Sequence, residues 1–543
     1  MGIYLNQGNE GFQIVLNSKL YIDKSMLIDF TNSVINTEQR FICVSRPRRF
    51  GKTITAEMIG AYYDYSADSH SQFDNLSISK TENYLKHLNQ YDVIHITLTE
   101  FVKRNDKNIN DVLQKIIKNI ISDIEDEYPD IILRDNEDII LTMKQVYAKT
   151  KRKFVIIIDE WDCIFRIFPK NKDFQTQYLD FLRDWMKNQK FIALSYMTGI
   201  LPIKKYGEHS ALNMFNEYSM IDARELCEFT GITDQEVKVL CQQYNMDYNA
   251  MKTWYDGYIL QPRDENKAVS LDKRFEIYNP LSIVNAVSSK CITNYWNRTE
   301  TYEALKKYIM LNVGGLKDII IELLAGGRKK INPFKFVNDM TTFNSTDDIL
   351  TLLVHLGYLG FDNGSLEVFI PNNEVREEFF NSIDDEEDWE VIVNAIKKSD
   401  DLLTATINKD ADFVAEALEK AHFETSILQY NNENALSCVI SLAYYSARGK
   451  YIIIREMPTG KGFADMVFIP RSNYQELPAM LVELKWNKSA KTAINQIKEN
   501  QYLECLKNYK GKILLVGINY SKDINGENSK KHSCIIEEAM INE

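Results

Sequence analysis

Paired cysteines, long apolar runs and an excess of positive charge are all missing from this sequence, and each absence removes a class of protein. The eight cysteines among 543 residues (Cys43, Cys163, Cys227, Cys241, Cys291, Cys438, Cys505, Cys534) are scattered, with no C-x-x-C spacing. Neither a disulfide framework nor a zinc site is expected, and the usage fits an intracellular, reduced setting. The longest aliphatic stretches, such as Val155 to Ile158 and Ala479 to Val482, fall well short of the ~20 apolar residues of a spanning helix. A soluble, cytoplasmic protein with no membrane contact is the expectation. Met1 to Gln13 holds no basic stretch followed by an apolar block, so no secretory signal is expected, and Asn6 stands where myristoylation at Gly2 asks for Ser or Thr. Acidic residues number 77 against 64 basic ones, a net charge of −13, which excludes a chain-wide nucleic-acid surface and leaves only a local one.

Hydrophobic residues make up 45% and charged residues 26%, enough apolar material for several cores and too much for long disorder. At roughly 100–200 residues per domain, this length predicts about three or four units. No fixed-period repeat or low-complexity linker marks their limits. From Phe41 to Met197, short β-branched or aliphatic runs (Phe41 to Val44, Val93 to Thr97, Phe154 to Ile158, Phe191 to Met197) alternate with amphipathic stretches such as Ile109 to Ile121. That alternation predicts an α/β domain with a parallel sheet flanked by helices.

From about Asp222 to Asp400 the strand signal fades and helical periodicity dominates, as in Glu225 to Tyr244 and Asp347 to Leu356. A helix ending near Gly357 and a β-like pair, Tyr358 to Phe361 and Leu366 to Ile370, read either as a winged-helix unit or as an ordinary hairpin closing a helical domain. The acidic run Asp384 to Asp388 reads as a solvated helix start. Beyond Leu402 come a helical stretch, β-rich runs (Tyr451 to Glu456, Ala464 to Ile469, Ala479 to Lys485), a helix (Lys491 to Leu506) and a last strand (Lys512 to Ile518), a second α/β unit. The expected division is 1–221, 222–400 and 401–543.

Two places carry chemistry. In the first, the strand Phe41 to Val44 runs into Ser45-Arg46-Pro47-Arg48-Arg49-Phe50-Gly51-Lys52-Thr53, and a helical pattern starts at Ile54. Strand, loop, GK[ST] and helix make the P-loop arrangement. Backbone N–H groups at the helix start would face phosphates, Lys52 would supply a point charge to the β/γ oxygens, and Thr53 a hydroxyl to Mg2+. Arg46 occupies a position where the pattern asks for glycine. The apolar strand Phe154 to Ile158 ends in Asp159-Glu160, one carboxylate suited to hydrated Mg2+ and the next to an attacking water; the alternative is that both cap a turn. Thr198, at the end of Phe191 to Met197, is either a γ-phosphate sensor or a plain turn residue. Arg46, Arg48 and Arg49 either clamp phosphate or pair with carboxylates such as Asp23, and structural pairing is expected of at least one.

In the second place, Asp465 lies on one strand and Glu483-Leu484-Lys485 on the next. Side chains two apart on a strand share a face, so Glu483 and Lys485 point one way while Val482 and Leu484 enter the core. Two carboxylates and an ammonium converging are what metal-assisted phosphodiester hydrolysis needs: oxygen ligands for Mg2+ and a lysine beside the water. The alternative is a cross-strand salt bridge. Glu433 and Glu456 are further acidic candidates, and Lys488, Lys491 and Lys498 could add positive field for phosphate contact or form a solvated face.

Tyr21-Ile22-Asp23-Lys24-Ser25, Arg46-Pro47-Arg48-Arg49-Phe50-Gly51-Lys52-Thr53, Ile158-Asp159-Glu160-Trp161-Asp162, Thr198-Gly199-Ile200-Leu201-Pro202-Ile203, Trp254-Tyr255-Asp256-Gly257-Tyr258 and Tyr278-Asn279-Pro280 resemble the bacterial AAA-ATPase-like proteins that carry a C-terminal PD-(D/E)xK nuclease domain. In that family the missing first glycine is the rule; Trp161 departs from it, standing where a tyrosine is usual. The resemblance implies a P-loop NTPase sheet, a helical or winged-helix-like middle and a restriction-endonuclease-like C-terminal domain. It implies ATP and Mg2+ at Arg48, Arg49, Phe50, Gly51, Lys52, Thr53, Asp159, Glu160 and Thr198. It implies Mg2+, with Mn2+ as an alternative, at Asp465 and Glu483, with Lys485 and Gln496 completing the nuclease site. The expected function is an ATPase coupled to a DNA nuclease, in phage defence or mobile-element biology, with a protein partner or homo-oligomer open. The competing expectation is a non-catalytic ATP-dependent switch or scaffold with an inactive nuclease fold.

Overall fold

The computed structural model describes residues 2–203, 212–262, 273–296, 301–384 apart from 312, 338, 339 and 342, 386–424, 433–459, 462–471, 474–522 apart from 501, 503–505, 507, 508 and 510, and 530–539. The chain packs as two units: Met1–Arg298 with Lys330–Val375, and Thr299–Lys329 with Arg376–Glu543. Among the described residues no helix is long and apolar enough to cross a membrane.

The first unit is built on five parallel strands: β1 (Phe41–Ser45), β2 (Asp92–Thr97), β3 (Phe154–Asp159), β4 (Ile192–Gly199) and β5 (Asn216–Tyr218), in the order β2-β3-β4-β1-β5. β1, β3 and β4 are buried along their whole length, as parallel strands covered on both faces must be, which is why they read as unbroken aliphatic runs. The strand that intervenes between β1 and β3 in sequence, β2, lies at the sheet edge. The strand between them in space is β4, with Val44 opposite Thr198 and Ile158 opposite Met197. Helix Ile109–Glu127 turns a stripe of Ile109, Val112, Leu113, Ile116, Ile117 and Ile120 inward, the three-and-four spacing of an amphipathic helix.

Between β5 and Leu356 the sequence pattern is dominated by helical periodicity, yet the chain forms a small antiparallel sheet, β6 (Ile232–Thr233), β7 (Tyr258–Leu260) and β8 (Phe275–Tyr278), ordered β6-β8-β7. Strands this short cannot display a two-residue period. The helices around it start on clear signals: Thr233 and Glu236 form a capping box, and Pro280 opens helix Pro280–Ser289 behind the Asn279 cap. The chain returns to this unit through β9 (Lys329–Lys330). Helix Thr346–Leu356 then stops at Gly357, and an antiparallel hairpin, β10 (Gly360–Asp362) and β11 (Glu367–Phe369), follows with β10 beside β7. The Tyr258 hydroxyl donates to the Gly357 carbonyl at 2.7 Å.

The second unit is a five-stranded mixed sheet in chain order: β12 (Tyr451–Thr459), β13 (Gly462–Pro470), β14 (Ala479–Trp486), β15 (Ile513–Lys522) and β16 (Lys530–Ala539), with only β14 and β15 parallel. β16 was not expected from the sequence, because an edge strand with Lys530, Lys531, Glu537 and Glu538 among its residues shows little apolar pattern. One face packs Met466, Phe468, Val482, Leu484 and Val516 with Leu403, Leu418 and Ile440. The other packs Val467, Leu481 and Leu515 with Ile494 and Ile497 of helix Ala490–Glu499. The acidic run leads into helix Glu390–Lys397, and two of its carboxylates are paired, Asp384 with Lys397 at 2.8 Å and Glu386 with Lys306 at 2.5 Å.

The middle motifs converge on one charge network. Carboxylate oxygens of Asp234, Asp256 and Glu276 lie within 4.8 Å of one another, and the Lys252 ammonium sits among them, 3.6 Å from Asp234, 3.3 Å from Asp256 and in direct contact with Glu276. Tyr248 and Tyr278 hydroxyls donate to Asp234 at 2.6 and 2.8 Å. The lysine thus takes the place a metal ion would fill. Burial, then the charge of Glu276, raises the pKa of Asp256 to about 6, with Lys252 opposing.

Two outcomes are expected. Gly257 has φ of 113°, and a Cβ there would stand 2.1 Å from the Pro371 carbonyl oxygen; Gly257→Ala should destabilise by about 2–3 kcal/mol, read by calorimetry of the full chain, and an unchanged melting curve refutes the close approach. An acid with a raised native pKa stabilises the fold below its unfolded pKa of about 4, and that contribution is lost as pH rises through about 6. The stability of Asp256→Asn relative to wild type should therefore improve on going from about pH 4 to pH 7; parallel pH profiles contradict it.

Candidate functional site

The loop between β1 and helix Lys52–Tyr63 turns on Gly51, the helix N-cap, at φ 83°. A Cβ there would meet nothing within 4 Å, so glycine is needed for its left-handed backbone and not for space. No side chain caps this helix, which leaves first-turn N–H groups available to an anion. The Lys52 ammonium is buried and donates to the carbonyls of Arg46 at 3.0 Å and Pro47 at 2.7 Å. Burial lowers its pKa to about 8, with Asp159, Asp162 and Glu160 pulling the other way.

Arg46, in the glycine position, is fully buried and donates to three carbonyls: Ser45 at 3.0 Å, Tyr218 at 2.8 Å and Leu226 at 3.0 Å. It laces the end of β1 to β5 and the turn beyond. The structural arginine expected from the sequence is therefore Arg46, and its partners are carbonyls rather than Asp23. Asp23 instead accepts from the backbone N–H of Ser25 at 2.8 Å and of Ser77 at 2.7 Å. Phe50 is buried, edge-on to Tyr258 with ring centroids 5.1 Å apart, and its carbonyl accepts from Gly231 N–H at 3.0 Å. Its side chain anchors the loop. Arg48 is exposed, and Arg49 is half-buried with φ of 68°.

At the end of β3 the Asp159 carboxylate is buried. Thr53 Oγ1 donates to its Oδ2 at 2.6 Å, and Thr198 Oγ1 and Glu160 N–H both donate to its Oδ1, the latter at 2.9 Å. Three residues chosen from sequence, Thr53, Asp159 and Thr198, thus meet, and it is the place of β4 between β1 and β3 that brings Thr198 in. Glu160 sits in the left-handed region with φ of 54°, and its Oε2 accepts from Arg166 Nη2 at 2.9 Å. Arg166 Nε lies 3.3 Å from Asp162 Oδ2, which accepts from Ile200 N–H at 3.1 Å and Leu201 N–H at 2.9 Å. Arg166 escaped the sequence reading; the i, i+4 spacing of Asp162 and Arg166 was the available signal.

In the second unit Asp465 and Glu483 stand one step beyond the Met466–Val482 pair of the β13–β14 ladder. Asp465 Oδ2 accepts from Leu484 N–H at 2.7 Å. Lys485 Nζ is 2.8 Å from Glu483 Oε1, with side chains only 7% and 2% exposed, and Glu483 Oε2 is buried without a hydrogen-bond partner. Burial and the charge of Asp465 raise the pKa of Glu483, while Lys485 opposes. A buried carboxylate oxygen lacking a donor, beside a second carboxylate, is a donor set that a divalent cation fits, since it supplies oxygen ligands and the cation relieves their repulsion.

The remaining candidates fall differently. Gln496 Nε2 donates to the Tyr502 hydroxyl at 3.1 Å. Glu456 is exposed with φ of 49°, at the break in the β12–β13 ladder opposite Asp465. Lys498 pairs with Glu537 at 2.5 Å, which cancels much of its field, while Lys488 and Lys491 are exposed. The side chain of Glu433 lies outside the described residues.

Residues 8–207 match the family model described as a predicted AAA-ATPase, and residues 431–527 match the PD-(D/E)XK nuclease superfamily. No curated protein matches the chain at a significant level. A solved structure of the Aeropyrum pernix ORC1 protein in complex with DNA is matched at 12% identity over 70% of this chain and 97% of that chain, with a TM-score of 0.25, too low to carry an argument. With Lys52, Asp159 and Thr198 inside the first matched region and Asp465, Glu483 and Lys485 inside the second, the chain joins a region that matches the predicted AAA-ATPase model to one that matches the PD-(D/E)XK nuclease superfamily.

Proposed function

We propose that this protein is a nucleotide-controlled nuclease. Segment 1–221 binds and hydrolyses ATP with Mg2+, segment 222–400 is a helical lid with a winged-helix-like part, and segment 401–543 cuts DNA with Mg2+ or Mn2+. The observation that carries the reading is the buried pair of Glu483 and Lys485 beside the half-buried Asp465, in which Glu483 keeps one carboxylate oxygen without a donor. A solvated surface salt bridge has no reason to hold such an oxygen out of water.

At the nucleotide end, Lys52 and the uncapped helix start meet the phosphates, with Arg48 and Arg49 beside them. Thr53 and Asp159 hold Mg2+, Glu160 orients the attacking water, and Thr198 reports the state of the γ-phosphate through Asp159. At the nuclease end Asp465 and Glu483 hold the cation, and Lys485, kept in place by Glu483, orients the nucleophilic water; Gln496 lines the site. Bound divalent metal supplies polarisation of the phosphorus–oxygen bond and a more acidic water. Work in the cytoplasm, in phage defence or mobile-element biology, with a protein partner or a second copy of the chain, belongs to this reading through the family resemblance. The direct ion pair between Lys485 and Glu483 favours a second reading, a scaffold that binds DNA or a protein under ATP control without cutting.

Linear, circular and single-stranded DNA with Mg2+ or Mn2+, with and without ATP, distinguishes the two: shortened DNA supports the nuclease, and retarded but intact DNA with either metal supports the scaffold. Asp465→Asn and Lys485→Ala should each lose roughly hundredfold or more of cleavage while ATP affinity holds; undiminished cutting by both refutes the assignment. Lys52→Ala should weaken ATP binding by roughly tenfold or more, as expected for removal of a buried charge from its anion, measured by calorimetric titration.

A further inference from the structure

The nucleotide end holds more charge than the proposed chemistry uses. Asp159, Glu160 and Asp162 put three carboxylates within four residues, and two cations answer them, the buried Lys52 at the start of its helix and the largely buried Arg166 from helix Cys163–Ile167. Lys52 has an evident task in phosphate binding. Arg166 has none.

Arg166 is only 14% exposed, so its guanidinium has been taken largely out of water, a step that costs several kcal/mol unless carboxylates repay it. Asp162 would suffice for structure, being fully buried and already tying the β4 end through Ile200 and Leu201 N–H. Yet the shorter contact, 2.9 Å, goes from Nη2 to Oε2 of Glu160, whose side chain remains 39% exposed. Glu160 reaches that contact from a left-handed backbone, φ 54°, a conformation that a residue with a Cβ holds only when its surroundings enforce it. The same β4 end that reaches Asp159 through Thr198 reaches Arg166 through Asp162.

We infer that Arg166 is the positioning residue of the nucleotide site: it grips one oxygen of Glu160, leaves the other to water, and sets that geometry by reference to the end of β4. This rests on the proposed ATPase reading and deepens it. The role explains why an arginine stands there, since a planar fork can bond Glu160 through one nitrogen and face Asp162 with another at the same time.

The test compares wild type, Arg166→Gln and Arg166→Lys for ATP turnover and nucleotide affinity in the full chain. Removing a positioning group should lower kcat by roughly ten- to hundredfold, leave the nucleotide Kd within about threefold, and be restored only in part by lysine, whose single ammonium lacks the fork that faces both carboxylates. In a Glu160→Gln background, Arg166→Gln should cause no further loss, because both act through one carboxylate. Arg166→Met, suited to a buried site, is held to the same outcomes should the glutamine variant not fold. Unchanged kcat, a Kd that worsens in step with kcat, or an undiminished loss in the Glu160→Gln background overturns the assignment while wild-type turnover keeps the ATPase reading. Wild type that binds ATP without hydrolysing it ends both.

Discussion

A buried carboxylate at the end of a parallel strand must find donors in whatever loops finish beside it, and at Asp159 those donors come from far apart in the sequence. Thr53 arrives from the phosphate loop, Thr198 from the end of β4 and Glu160 N–H from the next residue. The strand order makes this possible. With β4 between β1 and β3, the three strands end on one edge, as the carboxyl ends of a doubly wound sheet do at a binding crevice. The loop, the acid pair and the threonine are therefore a single object in space.

The arginines around that edge follow two different rules. Arg46 is wholly buried, and carbonyl oxygens from three stretches accept from its two terminal nitrogens; it replaces the conformational freedom of a glycine with a cross-brace, and the loop is held from outside rather than by its own flexibility. Phe50, seated on Tyr258 and hydrogen-bonded through its carbonyl to Gly231, braces the loop from the other end. Arg166 answers carboxylates, so its energy depends on the charges of Glu160 and Asp162. A brace to carbonyls keeps its value whatever is bound, whereas a brace to Glu160 shares a group with the proposed hydrolysis.

In the C-terminal sheet the constraint is alternation. Val482 and Leu484 are claimed by one apolar layer, which forces Glu483 and Lys485 onto the opposite face, where helix Ala490–Glu499 covers the sheet. Charges placed there are desolvated by their neighbours' packing, and they persist because Lys485 and Glu483 pair and Asp465 is anchored on Leu484 N–H. The raised pKa of Glu483 follows from that same confinement.

Strand-loop-helix at Lys52, the apolar run into Asp159, and the Asp465 and Glu-x-Lys pattern were legible because each is local: period, spacing and residue type suffice to state them. β6, β7 and β8 were not, being two to four residues long, and β16 was not, being a charged edge strand. Sequence alone determined which chemical groups this protein owns and on which side of each strand they stand, because alternation and capping act within a few residues. Tertiary structure decided which groups meet: Arg46 with Tyr218 and Leu226, Lys252 with three acids, Arg166 with Glu160 and the β4 end. Such partners are chosen by strand order and by the need to neutralise charge once water is excluded, and neither is written in any short stretch of chain.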